Sequence, residues 1–213
     1  MRIRKVLTSL VVAALVLVGG VATSSPSNAA STLTSPTWMS NATVYEVNVR
    51  QYTAEGTFNA FSTHLDRLKK LGVKVLWFMP IQPISVKERK GTLGSYYSIA
   101  DYKGINPEYG TAADFKALVE KAHGLGFKIV LDWVPNHTGW DNPWITAHPD
   151  WYTKDSTGKI IHPVGTDWTD VADLNYSNQA MRAEMIASMK YWIDTYDIDG
   201  FRCDVAGGVP NDF

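Results

Sequence analysis

Asp199-Gly200-Phe201-Arg202-Cys203-Asp204-Val205-Ala206 reads as a short strand entered through a polar pair. Side chains alternate along a strand, so Arg202 and Asp204 share one face while Phe201 and Cys203 share the other. A guanidinium beside a carboxylate favours its ionised form and fixes its orientation through charge-assisted hydrogen bonds, which suits an aspartate acting as a nucleophile. The same pair also reads as a structural ion pair, and the stretch alone leaves both readings open. The elements leading up to it make it the fourth strand of a repeating pattern.

Working back from it, Asn178 to Tyr196 reads as a helix with Met181, Met185, Met189 and Trp192 on one face, and Phe127 to Trp133 as a buried strand after Gly126. Between them, Val134 to Ser177 is a loop far longer than compact domains tolerate without a function. Further upstream, Thr111-Ala112-Ala113-Asp114 is a capping signature for a helix through Phe115, Leu118, Val119 and Ala122 to Gly124. Pro80 to Gly110 is a second long loop, and Val73 to Met79 a continuous apolar strand. Phe61, Leu65, Leu68 and Leu71 form the stripe of one helix from Phe58, ended by Gly72, and Val44 to Tyr52 reads as the first strand. Strand and helix alternate, which predicts parallel α/β architecture. No dinucleotide fingerprint or phosphate loop follows any strand. Polar clusters stand at the strand ends, as in a (β/α)8 TIM barrel, but a whole barrel takes about 250 residues. The expectation is an incomplete (β/α)8 barrel, its first four strands and their helices.

The beginning of the chain reads differently. Arg2, Arg4 and Lys5, an apolar run from Leu10 to Val18, and a small-residue stretch ending at Ala29-Ala30 predict a signal peptide over 1–30 and hence a secreted protein. That run is too short for a membrane span. A segment over 31–43 then leads into the catalytic-type domain expected over 44–213. The net charge of −1 and pI of about 6.5 argue against a nucleic-acid partner. Cys203, the single cysteine, excludes an intrachain disulfide framework. Of the eight tryptophans, Trp133, Trp140, Trp144, Trp151 and Trp168 crowd one region. Flat rings suit stacking on sugars, yet they also anchor long loops to a core, and core packing is the favoured reading.

Three further clusters accompany the opening stretch: Asp132-Trp133-Val134-Pro135-Asn136-His137, Val171-Ala172-Asp173-Leu174-Asn175, and Gly94-Ser95-Tyr96-Tyr97 running on to Asn106-Pro107-Glu108-Tyr109-Gly110-Thr111. In this order and at these strand ends, the four segments resemble the short conserved-type regions of the α-amylase family, glycoside hydrolase family 13, over essentially all of the chain from Val44. The resemblance implies that Asp204 is the catalytic nucleophile and Arg202 its charged neighbour. It further implies that His137 binds the sugar at the cleavage position, that Tyr97 stacks beneath that sugar, and that Asn136 and Asp173 hold a structural calcium ion, whose preference for oxygen both can serve. Asp132 reads as structural, and Glu46 as an interior hydrogen-bonding group.

The implied function is retaining hydrolysis of α-glucosidic bonds in starch-like glucans or maltooligosaccharides by a monomer. In the family pattern the general acid follows a fifth strand, beyond Phe213, so the chain is expected to be an incomplete copy of a longer enzyme, inert and poorly soluble alone. Gly207 and Gly208 stand where many members carry lysine and histidine, which keeps glycosyl transfer and oligosaccharide hydrolysis open. Two other classes compete: a non-catalytic carbohydrate-binding relative, and a metal-dependent hydrolase built on Asp132, His137 and Asp173.

Overall fold

The computed structural model describes residues 34–213. The signal peptide expected over 1–30, and the start of the segment over 31–43, lie outside the described residues. Thr37–Phe213 form one compact unit.

β1 (Val44–Val47) is shorter than the strand expected to reach Tyr52. The Asn48 side chain accepts the Gln51 N–H and starts a one-turn helix, α1 (Val49–Tyr52). The helix expected from Phe58 to Leu71 is two: α2 (Phe58–Ser62) and α3 (Leu65–Leu71). Ser62 and Thr63 explain the break, because their hydroxyls bond back to the Asn59 and Ala60 carbonyls at 2.9 and 2.8 Å and compete with the helical ladder. Gly72 ends α3 with φ 90°, a left-handed cap that glycine adopts without steric cost. Then follow β2 (Val75–Phe78), α4 (Ala112–Gly124) and β3 (Lys128–Trp133). The capping box at the start of α4 is present, Thr111 and Asp114 satisfying each other's backbone N–H groups.

The loop after β3 contains structure of its own: β4 (His137–Gly139), the short α5 (Trp144–Ala147) and β5 (Val171–Asp173), with β4 and β5 paired antiparallel. α6 (Gln179–Tyr196), capped by Asn178, leads to β6 (Gly200–Cys203). Along α6 the buried stripe passes through Met181, Met185, Ser188 and Trp192, and Met189 is only half-buried. A 3.6-residue period puts position 188, not 189, between 185 and 192.

The main sheet has the order β1-β2-β3-β6 with every pair parallel, so the fold is the arc expected for the first four strands of a (β/α)8 barrel. Its outer face carries Val47, Leu76, Phe78, Ile129, Leu131 and Trp133, all buried against a core with Phe61, Leu68, Phe115 and Trp192 from the helices. Each such large side chain contributes roughly 1.5–3 kcal/mol by leaving water. The inner face is open: Val44 is 61% exposed, Trp77 and Val130 are half-buried, and a cavity of about 300 Å³ lies over them. Glu46 on this face is exposed and makes no side-chain hydrogen bond within the described residues, contrary to the interior role expected of it.

The two ends of the sheet differ in job. Where β3 and β6 begin, Asp199 gathers the Lys128 ammonium at 2.6 Å, His123 Nε2 at 2.8 Å and the Ile129 N–H at 2.8 Å, fastening α4, β3 and β6 together. Where they end, the two long loops meet. The Asp141 carboxylate accepts from the Val86 and Lys87 N–H groups at 2.6 and 2.8 Å, and those backbone bonds hold its pKa below the ordinary value. Gly139 N–H donates to Ile99 O at 2.9 Å.

Candidate active site

Strand alternation puts Arg202 and Asp204 on the inner face, and Arg202 Nη1 donates to Asp204 Oδ1 at 2.9 Å. The ladder itself runs on past β6, since the Asp204 N–H donates to Trp133 O at 2.7 Å. Directly afterwards the chain turns sharply: Val205 has φ 47° and ψ 41°, a left-handed conformation that a β-branched residue adopts only under strain. Backbone strain of this kind concentrates at functional sites.

Arg202 does more than pair with Asp204. The same Nη1 also donates to both oxygens of Asp132, at 3.0 and 3.1 Å, and the guanidinium lies over the Trp77 ring at 4.9 Å. Asp132 Oδ2 accepts in addition from Trp77 Nε1 and from the Tyr97 hydroxyl, each at 3.2 Å. Its side chain is wholly buried, and burial pushes its pKa up to about 6 despite Arg202. The structural reading of Asp132 therefore holds in a specific form. It ties the guanidinium and the tyrosine to one point on the end of β3.

Above this floor is a pocket of about 450 Å³ lined by Lys90, Tyr97, His137, Trp168, Asp170 and Asp204 among others. Three of the residues singled out from sequence, Tyr97, His137 and Asp204, meet there, with Arg202 beneath. Burial, together with the negative charges of Asp132 and Asp204, pushes the Tyr97 pKa up, so the phenol stays protonated. His137 is 3% exposed, and its burial lowers its pKa against the opposing pull of Asp204, so it is neutral at neutral pH. Asn136 Nδ2 lies 3.2 Å from His137 Nδ1, with donor and acceptor set by the ring tautomer.

Asn136 and Asp173 are joined through the backbone, by the Leu174 N–H to Asn136 O bond at 3.2 Å and the pairing of His137 with Asp173. Their side chains have different neighbours. Asn136 Oδ1 faces Gly208, where an added Cβ would fall 2.2 Å away. Burial raises the pKa of Asp173, opposed by a hydrogen bond from Thr153 and by the charge of His162. Both are oxygen donors suited to calcium, but two side chains fill only part of a shell of six to eight oxygens. Asp132, His137 and Asp173 do not gather as a metal-binding group, and none of three or more His, Cys, Asp or Glu occurs among the described residues.

Several lining residues were not singled out for the site from sequence. Trp168 lies edge-on to His137 with centroids 5.7 Å apart, while Trp133 and Trp151 are core residues, so the tryptophan cluster divides between the two readings. Asp170 is 7% exposed and sits 3.9 Å from the Lys90 ammonium across the pocket wall. Trp168 belonged to the tryptophan cluster with its two readings, while the hint of Asp170 was its position just upstream of the Val171–Asn175 cluster.

The family model for the alpha amylase catalytic domain matches residues 23–160 and 149–212. A curated relative, Alpha-amylase 3 of Dictyoglomus thermophilum, is 35% identical over 199 residues, covering 82% of this chain and 38% of that protein. Trehalose synthase of Pimelobacter sp. is 31% identical over 205 residues, covering 79% and 35%. Among solved structures, an alpha-amylase from Lactobacillus plantarum superposes with a TM-score of 0.77 at 49% identity, covering 81% of this chain and 40% of that one. The chain thus spans less than two fifths of the length of these two curated relatives.

Proposed function

Because this chain belongs to the α-amylase family of glycoside hydrolases, we propose that it carries the nucleophile half of a retaining active site for α-glucosidic bonds in starch-like glucans. The observation that carries the reading is the Arg202–Asp204 contact at the base of a pocket that also holds Tyr97 and His137. Asp204 attacks the anomeric carbon. The bond to the leaving oxygen breaks as the glycosyl–Asp204 ester forms, and a general acid gives that oxygen its proton. Arg202, anchored by Asp132, keeps the Asp204 carboxylate ionised and aimed. Tyr97 offers its ring to the sugar face, and neutral His137 offers a ring nitrogen to a sugar hydroxyl.

The acid must lie about 5–5.5 Å from the nucleophile. Asp132 is engaged by Arg202, and Asp170 faces Lys90, so neither described carboxyl suits the task. On this reading the 213-residue chain is inert alone and works within a longer barrel. In the full-length protein, Asp204→Asn should lower kcat on maltooligosaccharides by at least about 10⁴-fold, within the range catalytic groups supply. Retained turnover would overturn the nucleophile assignment. Glycosyl transfer is the second reading. Exposed Gly207 and Gly208 leave the acceptor side without the lysine and histidine of many family members, and one relative is named a trehalose synthase. Products longer than the starting sugar would select it.

Export by the segment over 1–30, a monomeric state and the absence of nucleic-acid or membrane partners belong to the same proposal. So does calcium: Asn136 and Asp173 would hold the ion, which would brace the loop against β6 and supply no chemistry of its own. Chelation of the purified protein should then lower Tm by several degrees, roughly 2–4 °C for each kcal/mol lost in a domain of this size. An unchanged Tm would remove calcium from the reading.

A further inference from the structure

The two segments that wall the pocket, 86–95 and 168–171, send other side chains into a second cavity of about 500 Å³, lined by Lys87, Glu88, Trp140, Asp155, Lys159 and Thr169 among others. Trp168 and Asp170 line the first pocket and Thr169 the second, from a turn closed by the Val171 N–H donating to Trp168 O at 3.3 Å. Trp140 is half-buried at the end of β4, and its indole N–H is spent on Thr169 O at 2.9 Å. What remains for a ligand is the flat ring.

The opposite wall is a built turn. Asp155 Oδ1 accepts from the Thr157 N–H, the Thr157 hydroxyl and the Lys159 N–H at 2.8, 2.6 and 3.1 Å, which fixes residues 155–159. Lys87, Glu88 and Lys159 are exposed, and none has an ion-pair partner among the described residues. Two ammonium groups therefore face two carboxylates. An anionic ligand would meet as much repulsion as attraction, whereas an uncharged polyhydroxyl ligand can use donors and acceptors of both signs. A half-exposed indole, balanced polar groups and this volume are what a pyranose chain needs.

We propose that this cavity is a second carbohydrate-binding site, distinct from the catalytic pocket, which holds an uncharged α-glucan segment on Trp140 with hydrogen bonds to Lys87, Glu88 and Lys159. It rests on the glucan reading of the neighbouring pocket, and the test separates the two. Calorimetry of the full-length protein with a linear maltooligosaccharide is run on four forms: unaltered, Tyr97→Ala with His137→Ala, and that double variant with either Trp140→Ala or Lys159→Ala added. The expected result is binding that survives loss of the first pocket, then weakens at least tenfold with Trp140→Ala and severalfold with Lys159→Ala. If the double variant does not bind while the unaltered protein does, or if neither addition weakens its binding, the second site is overturned and the first stands. No binding by the unaltered protein overturns both. Lys159 is exposed, so its variant keeps the test decisive should Trp140→Ala fail to fold.

Discussion

One guanidinium nitrogen of Arg202 serves three carboxylate oxygens, two on Asp132 and one on Asp204. One cation thus balances two carboxylates, and the deeper of the two bears the desolvation. Asp132 is raised to about 6 by burial, so between its unfolded pKa near 3.9 and about 6 the folded protein binds more protons than the unfolded one. Its contribution to stability is complete below the lower value and is lost as pH rises through the upper. Relative to the parent, Asp132→Asn should therefore gain on the order of 3 kcal/mol between about pH 4 and pH 7, read from urea midpoints at the two pH values. An offset that does not change with pH would mean that Asp132 is not raised. The Arg202–Asp204 pairing was legible because residues two apart on a strand share a face. The link to Asp132 was not, because that residue lies 70 positions away and only the parallel register of β3 with β6 brings it alongside.

Elements with strong local chemistry could be read directly. Thr111 and Asp114 predict the start of α4 because the capping box is a four-residue interaction. The break between α2 and α3 was hidden, since the apolar stripe continues across it and only the Ser62 and Thr63 back-bonds interrupt the ladder. β4 and β5, three residues each, are too short to show alternation. They nonetheless set the pocket, because β4 carries His137 at one end and packs Gly139 against the preceding loop at the other. A Cβ at position 139 would stand 2.3 Å from the Ser85 Cβ, an atom fixed close to its own backbone. Gly139→Ala should cost roughly 1–3 kcal/mol of stability, in the range of overpacked sites. It should also weaken maltooligosaccharide binding, since the displaced loop carries Lys90 and Tyr97. Urea denaturation and calorimetry read the two effects, and an unchanged urea midpoint would show that the loop gives way freely.

At the scale of the molecule, the sheet is finished on one side only. Helices bury the outer face, while the inner face exposes Val44, part of Trp77 and Val130, and β1 and β6 are both edges. Unpaired edges and an exposed apolar face promote association. The purified 213-residue chain should bind a hydrophobic dye such as ANS and sediment as oligomers at micromolar concentration; a dye-silent monomer would contradict this. Three strand–helix units and a fourth strand could be counted in the sequence, so the arc itself was foreseeable. The second cavity was not, because Lys87, Trp140 and Lys159 come from separate loops that no periodicity connects. The exposed side chain of Cys203 has a practical consequence for the bench. It is the sole cysteine of the chain, on the face of β6 opposite Arg202, and partial desolvation of the thiol together with the negative charge of Asp132 pushes its pKa up. A maleimide label applied at mildly alkaline pH would therefore attach at one known point beside Asp204, and its accessibility would gauge how completely that edge is covered in any larger assembly.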